Sequence, residues 1–82
     1  MFTPAAPLAV TDDQKRELEL LVRSGNSPQR IALRCKVVLL ARDGIANASI
    51  ADQLKISRPT VLALRAAFAK DGMTAVTGHP PP

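Results

Sequence analysis

The sequence predicts an all-α fold, a trihelical core holding a helix-turn-helix with one additional helix before it. Three observations carry that expectation. Residues 47–68, NASIADQLKISRPTVLALRAAF, read as two short helices joined by a three-residue turn. Residues 11–14, T-x-x-Q, form a capping box ahead of an apolar-periodic run. Ser27-Pro28 opens a longer apolar run that ends before Gly44.

In chain order, residues 1–10, MFTPAAPLAV, contain two prolines and no charged side chain and are expected to be a disordered lead-in. The first helix then runs from the capping box to about Arg23, with Leu18, Leu21 and Val22 on one face. Its acidic first turn, Asp12 and Asp13, suits the helix dipole. Ser24, Gly25 and Asn26 break it. The second helix is expected to reach Asp43, with Ile31, Cys35, Val38, Leu39 and Arg42 along one stripe. Leu33, Val37, Leu40 and Ala41 extend its apolar surface around much of the circumference, as in a central helix touched by neighbours on several sides.

A helix-turn-helix needs a small residue where its helices cross and apolar residues at fixed offsets around it. Ala51 is that small residue, Ile50 and Leu54 lie on the inner face of the first helix, and Ile56 fills the turn. Val61, Leu64 and Phe68 repeat at i, i+3, i+7 down the second. Asn47 is the expected N-cap of the first helix and Ser57 of the second, with Pro59 in a first turn where its missing N–H costs nothing. Lys55 stands where such turns favour glycine, so it is expected at positive φ at a cost of about 1 kcal/mol. Gly72 stops the second helix. Met73, Ala75 and Val76 follow, then GHPPP, whose three prolines end any helix. The organisation expected is therefore a lead-in over 1–10, a helix-turn-helix domain over 11–76 with its motif at 47–68, and the start of a Pro-rich linker over 77–82.

Eighty-two residues allow one domain with a small core. The formal charge of +4 is unevenly spread, because Asp12, Asp13, Glu17 and Glu19 gather near the start. Beyond them Arg23, Arg30, Arg34, Lys36, Arg42, Lys55, Arg58, Arg65 and Lys70 face only Asp43, Asp52 and Asp71, a balance that favours a polyanion. The motif and this charge together make double-stranded DNA the expected partner. Cys35 is the only cysteine and His79 the only histidine, so neither a disulfide framework nor a zinc site is expected, and Cys35 reads as a small core residue. No apolar run approaches a membrane span and the start is unlike a signal peptide, so the chain is expected to be cytoplasmic, with neither a membrane nor a small-molecule substrate as partner. Phe2 and Phe68 are the only aromatics, and Phe68 is needed in the core, which argues against single-strand binding by base stacking.

With Val61, Leu64 and Phe68 inward, helical geometry places Pro59, Ala63, Ala66 and Lys70 on the opposite face, with Leu62 beside them. That face would enter the major groove. Direct readout would depend on Arg58 and Lys70, while Leu62, Ala63 and Ala66 could offer only apolar contact such as thymine methyls. Arg58 is a candidate guanine contact that its flank position also suits to a phosphate. Ser57, Thr60 and Arg65 read as backbone contacts, with Arg30 and Arg34 as further candidates. The N–H groups near Asn47 and Ala48 form a helix start able to accept a phosphate. The lead-in carries no Arg or Lys with which to enter a minor groove.

Residues 27–72 also resemble a known family. SPQR with the following ALR, then VVLLARDG, a small-residue helix ending in KISRPTV and a closing FAKDG are similar to the N-terminal DNA-binding region of bacterial insertion-sequence transposases of the mariner-like superfamily, the insertion sequence six-thirty family. The resemblance implies a homeodomain-like trihelical fold and docking on the element's terminal inverted repeats. It also implies a separate nuclease-like domain whose carboxylates bind two divalent metal ions, which would be the only cofactors, and a second transposase copy as partner through regions beyond this chain. Ala66 and Ala67 stand where that family frequently has basic residues, and Leu64 where it often has an aromatic, departures that bear on affinity. The seven carboxylates here fall on expected helix surfaces with no nucleophile or base beside them, so no catalysis is expected of the chain. Two other readings use the same residues: a stand-alone helix-turn-helix transcription regulator, and a bundle that binds protein or inhibits a full-length transposase.

Overall fold

A computed structural model describes residues 8–25 and 28–77. Its elements are α1 (Asp12–Arg23), α2 (Gln29–Arg42), α3 (Asn47–Leu54), α4 (Arg58–Asp71) and α5 (Met73–Thr77). The fold is all-α, as expected. At the start of α1 the capping box is complete: Thr11 Oγ1 accepts from Gln14 N–H at 3.1 Å, and Gln14 Oε1 accepts from Thr11 N–H at 3.0 Å. Two of the orphan donors of a helix start are thereby satisfied from within four residues of sequence.

α2 is the central element, in contact with each of the other four helices. Its buried residues divide between two clusters. Cys35 and Val38 join Leu18 of α1, Phe68 of α4 and Val76 of α5. Val37 and Ala41 join Ile50 and Ala51 of α3 and Val61 of α4. Consecutive valines at 37 and 38 thus serve different neighbours, which is why no single apolar stripe describes this helix. The expected stripe of Ile31, Cys35, Val38 and Leu39 is one side of it, and Arg42 at its end is anchored elsewhere. Arg42 Nη2 lies 3.1 Å from Asp12 Oδ1, and its Nε donates to the Val10 carbonyl at 3.4 Å.

Three features depart from the sequence expectation. The lead-in was expected to be disordered through Val10, but Leu8 and Val10 pack on the core, and Leu8 N–H donates to the Ala41 carbonyl at 3.0 Å. The rest of that lead-in, residues 1–7, lies outside the described residues, as do Ser27 and the proline run of 78–82. The cap of α3 is also displaced by one position. Ala46, not Asn47, is the N-cap, with no side-chain hydrogen bond, and Asn47 is already helical. Its Oδ1 is buried with no hydrogen-bond partner.

The third departure is α5, a fifth helix after Gly72. Gly72 closes α4 at φ 64 and its carbonyl accepts from Ala75 N–H at 3.1 Å, starting another helical turn. Five residues cannot sustain a helix alone. Burial of Val76 against α2 and α4 supplies what the local sequence lacks. Arg34 of α2 adds to it by donating from Nη1 to the Val76 carbonyl at 3.4 Å, a cation at a helix C-terminus.

Candidate nucleic-acid interface

α3 and α4 are joined by residues 55–57. Lys55 adopts φ 57, ψ 45, the left-handed conformation expected of it. Ile56 N–H reaches back to the Ala51 carbonyl at 2.9 Å and Lys55 N–H to the Asp52 carbonyl at 3.4 Å, the paired bonds that close a helix through a left-handed residue. Ile56 then packs on the cluster holding Ile50 and Ala51. Ala51 is 7% exposed in that cluster, among Val37, Ala41, Ile50 and Val61. A larger side chain there would push α3 off its neighbours.

α4 begins with Ser57 as N-cap, its Oγ accepting from Thr60 N–H at 3.3 Å, and with Pro59 in the first turn. The Ser57 and Thr60 hydroxyl oxygens are 2.7 Å apart, so two of the three expected backbone contacts already bond each other. Val61 and Phe68 are buried and Leu64 is half-buried, all on the inner side. Arg58, Pro59, Thr60, Leu62, Ala63, Ala66 and Lys70 are exposed. The helical phase deduced from sequence therefore holds: α4 turns one face to the core and leaves the other open over its length. Leu62 is 53% exposed, which makes that open face partly apolar.

The remaining candidates are spread more widely. Arg65 is half-buried, with Nη1 shielded from solvent. Arg30 and Arg34 lie on the N-terminal half of α2, whose neighbours are Phe68 and Val76, whereas Val61 near the start of α4 meets Val37 and Ala41 further along α2. Both arginines are thus toward the end of α4 remote from Arg58. Arg30 is exposed, while Arg34 is committed to the Val76 carbonyl. Lys70 is in the last turn of α4, about 18 Å along the axis from Arg58 at 1.5 Å per residue.

Ser57, Arg58 and Thr60 are brought together at the start of α4, next to the turn. There Arg58 lines an open groove with Ala48, Ala51, Asp52, Lys55 and Ile56. Lys55 and Asp52 were not among the sequence candidates for contact. The signal that could have found Lys55 is its place in the turn, where a cation three residues before Arg58 must share its surroundings. The N–H groups at the start of α3, next to Ala48, receive no side-chain cap and so remain available. Among the described residues no group of three or more His, Cys, Asp or Glu side chains is gathered in a way that could hold a metal ion, and no helix is long and apolar enough to cross a membrane.

In comparisons with known proteins, the family described as a homeodomain-like domain matches residues 20–77. No curated protein and no solved structure gave a match.

Proposed function

The chain belongs to the homeodomain-like domain family, and from that premise we propose that it binds double-stranded DNA in sequence-specific fashion and docks a transposase on the terminal inverted repeats of its element. A homeodomain-like helix-turn-helix is a DNA-binding arrangement in which the second helix of the motif enters the major groove. The observation that carries the reading is the open face of α4, where Arg58, Leu62, Ala63, Ala66 and Lys70 are exposed while Val61 and Phe68 are buried behind them.

On this reading Arg58 and, at the far end of the helix, Lys70 are the polar readers, and Leu62, Ala63 and Ala66 approach thymine methyls. Ser57, Pro59, Thr60 and Arg65 line the approach. The free N–H groups beside Asn47 at the start of α3 take a phosphate. Arg30 supplies a more distant electrostatic contact, and Arg34 stiffens the α5 end more than it touches DNA. With so few base-reading groups, most of the affinity is electrostatic. DNA cutting and joining, with its two divalent metal ions, and pairing with a second copy are assigned to residues outside this chain. The transposase assignment is supported by the phrases of residues 27–72 and by a family found in transposase N-terminal regions.

The experiment is selection of preferred sites from random duplex DNA, with Arg58→Ala in parallel. One enriched motif, lost with Arg58→Ala and present in inverted orientation at the ends of an insertion element, is the expected result. A motif found only upstream of genes would replace docking with transcription regulation. Retention that fades with salt and enriches nothing would remove the claim of sequence specificity.

A further inference from the structure

Lys55 is the non-glycine residue at positive φ among the described residues; the other left-handed positions, Gly25, Gly44 and Gly72, are all glycine. The pairing of Ile56 with Ala51 and of Lys55 with Asp52 requires this conformation, and glycine would adopt it without crowding a Cβ against the following carbonyl. Among the described residues glycine thus holds three such positions and a strained lysine the fourth. Strain of this kind persists where a side chain has work to do.

The surroundings of Lys55 indicate that work. Its side chain is exposed and lines the open groove between α3 and the start of α4, together with Arg58. Neither cation has an ion pair or side-chain hydrogen bond among the described residues. Asp52 is the one carboxylate lining that groove, so two cations outweigh it. Small residues, Ala48 and Ala51, form the rest of the α3 side and leave room for a bulky anion. We propose that Lys55 is a DNA-backbone contact: beside Arg58, which reads the base edge, its ammonium receives a phosphate oxygen as α4 enters the groove, and the left-handed strain is retained to hold it there. This rests on the reading of the chain as a duplex-DNA binder and adds to it a residue that fixes the protein's position on the backbone without reading sequence.

The proposal has an unusual signature. Replacing Lys55 by glycine relieves strain and removes a charge, so folding stability and DNA affinity should move in opposite directions. A purely structural residue would move them together or leave binding alone.

The test is a salt titration of binding to a pool of random-sequence duplex DNA by the full chain and its Lys55→Gly, Lys55→Asn, Lys55→Arg and Arg58→Ala variants. Asn tolerates the left-handed region without carrying charge, and Arg keeps the charge. Lys55→Gly and Lys55→Asn are expected to bind roughly three- to tenfold more weakly at low salt, and to lose about one unit from the slope of log affinity against log salt. Lys55→Arg should retain the slope, and Lys55→Gly should melt roughly 2–8 °C higher. If Lys55→Gly and Lys55→Asn keep the parent slope and affinity while Arg58→Ala weakens binding, the Lys55 contact is overturned and duplex binding stands. If the parent chain shows no salt-dependent retention, duplex binding fails and the Lys55 contact with it.

Discussion

Leu8 donates its backbone N–H to the carbonyl oxygen of Ala41 at 3.0 Å, and its side chain lies against both core clusters. The same carbonyl, in the last turn of α2, also accepts from Gly44 N–H at 3.1 Å, so the Leu8 bond occupies its second lone pair. The segment ahead of α1 is therefore part of the packed structure from Leu8 onward. Leu8→Ala should destabilise the domain by about 1–2 kcal/mol, less than a fully buried leucine because this one is half-buried. Urea unfolding followed by circular dichroism measures it, and an unchanged midpoint would mean the contact contributes nothing.

Ala51 sits where α3 meets α2 and α4, with Val37, Ala41, Ile50 and Val61 around it. Ala51→Leu adds three carbons between this cluster and the groove that Arg58 lines, and should cost about 1–3 kcal/mol by overpacking. Because the displaced helix also sets the turn before Arg58, DNA affinity should fall as well. Ala51→Ser, nearly the same size, is the control that should leave binding in place.

The two helices of the motif start differently, and the difference predicts opposite outcomes. Ser57 caps α4 through Thr60 N–H, so Ser57→Ala should lower stability by about 1 kcal/mol. Ala46 occupies the cap position of α3 in extended conformation, φ −61, ψ 144, with no side chain able to bond. Ala46→Ser should raise stability by about 0.5–1 kcal/mol. Thermal melts of both variants at one protein concentration decide the pair. A destabilised Ala46→Ser would show that the cap hydroxyl cannot reach the free N–H groups.

Burial pushes the Cys35 thiol above its ordinary range, Glu17 adds to the push by its charge, and a backbone hydrogen bond opposes them. The folded chain therefore holds this proton to higher pH than the unfolded chain does. Its contribution to stability is complete below the ordinary thiol pKa of about 8.5 and is lost as pH rises from there through the folded value. Denaturant midpoints measured from neutral to alkaline pH should fall less steeply for Cys35→Ala than for the parent, although Cys35→Ala begins lower because of the cavity it leaves. In the native chain Cys35 should also resist alkylation until the protein unfolds.

Local chemistry was legible wherever a few adjacent residues decide the outcome. The capping box of Thr11 and Gln14, the Ser57 cap, Pro59 in the first turn and Gly72 at the close of α4 all follow from hydrogen bonds and φ preferences spanning three or four residues. The same holds for Lys55, whose left-handed φ follows from its place between two helices that leave no other route for the chain. The open face of α4 was legible too, because Val61, Leu64 and Phe68 fix its rotation at 100° per residue. Asn47 shows the limit of that reasoning. Ala46 and Asn47 compete for one cap position, and side-chain chemistry favours Asn47, yet the turn through Gly44 delivers Ala46 there.

Sequence alone therefore determined the helix-turn-helix, its phase and the basic balance around it, because periodicity, caps and charge are properties of the chain before it folds. Only the tertiary structure decided what depends on distant partners. Leu8 is ordered by Ala41, α5 exists because Val76 finds a place beside Cys35, Val38 and Phe68, and Arg34 is turned from a candidate contact toward the Val76 carbonyl, 42 residues away in sequence. Lys55 and Arg58 come to line one groove with Ala48 and Asp52 by the same means. The energy that settles these arrangements comes from burying surfaces that are far apart along the chain, and no local pattern reports which surfaces will meet.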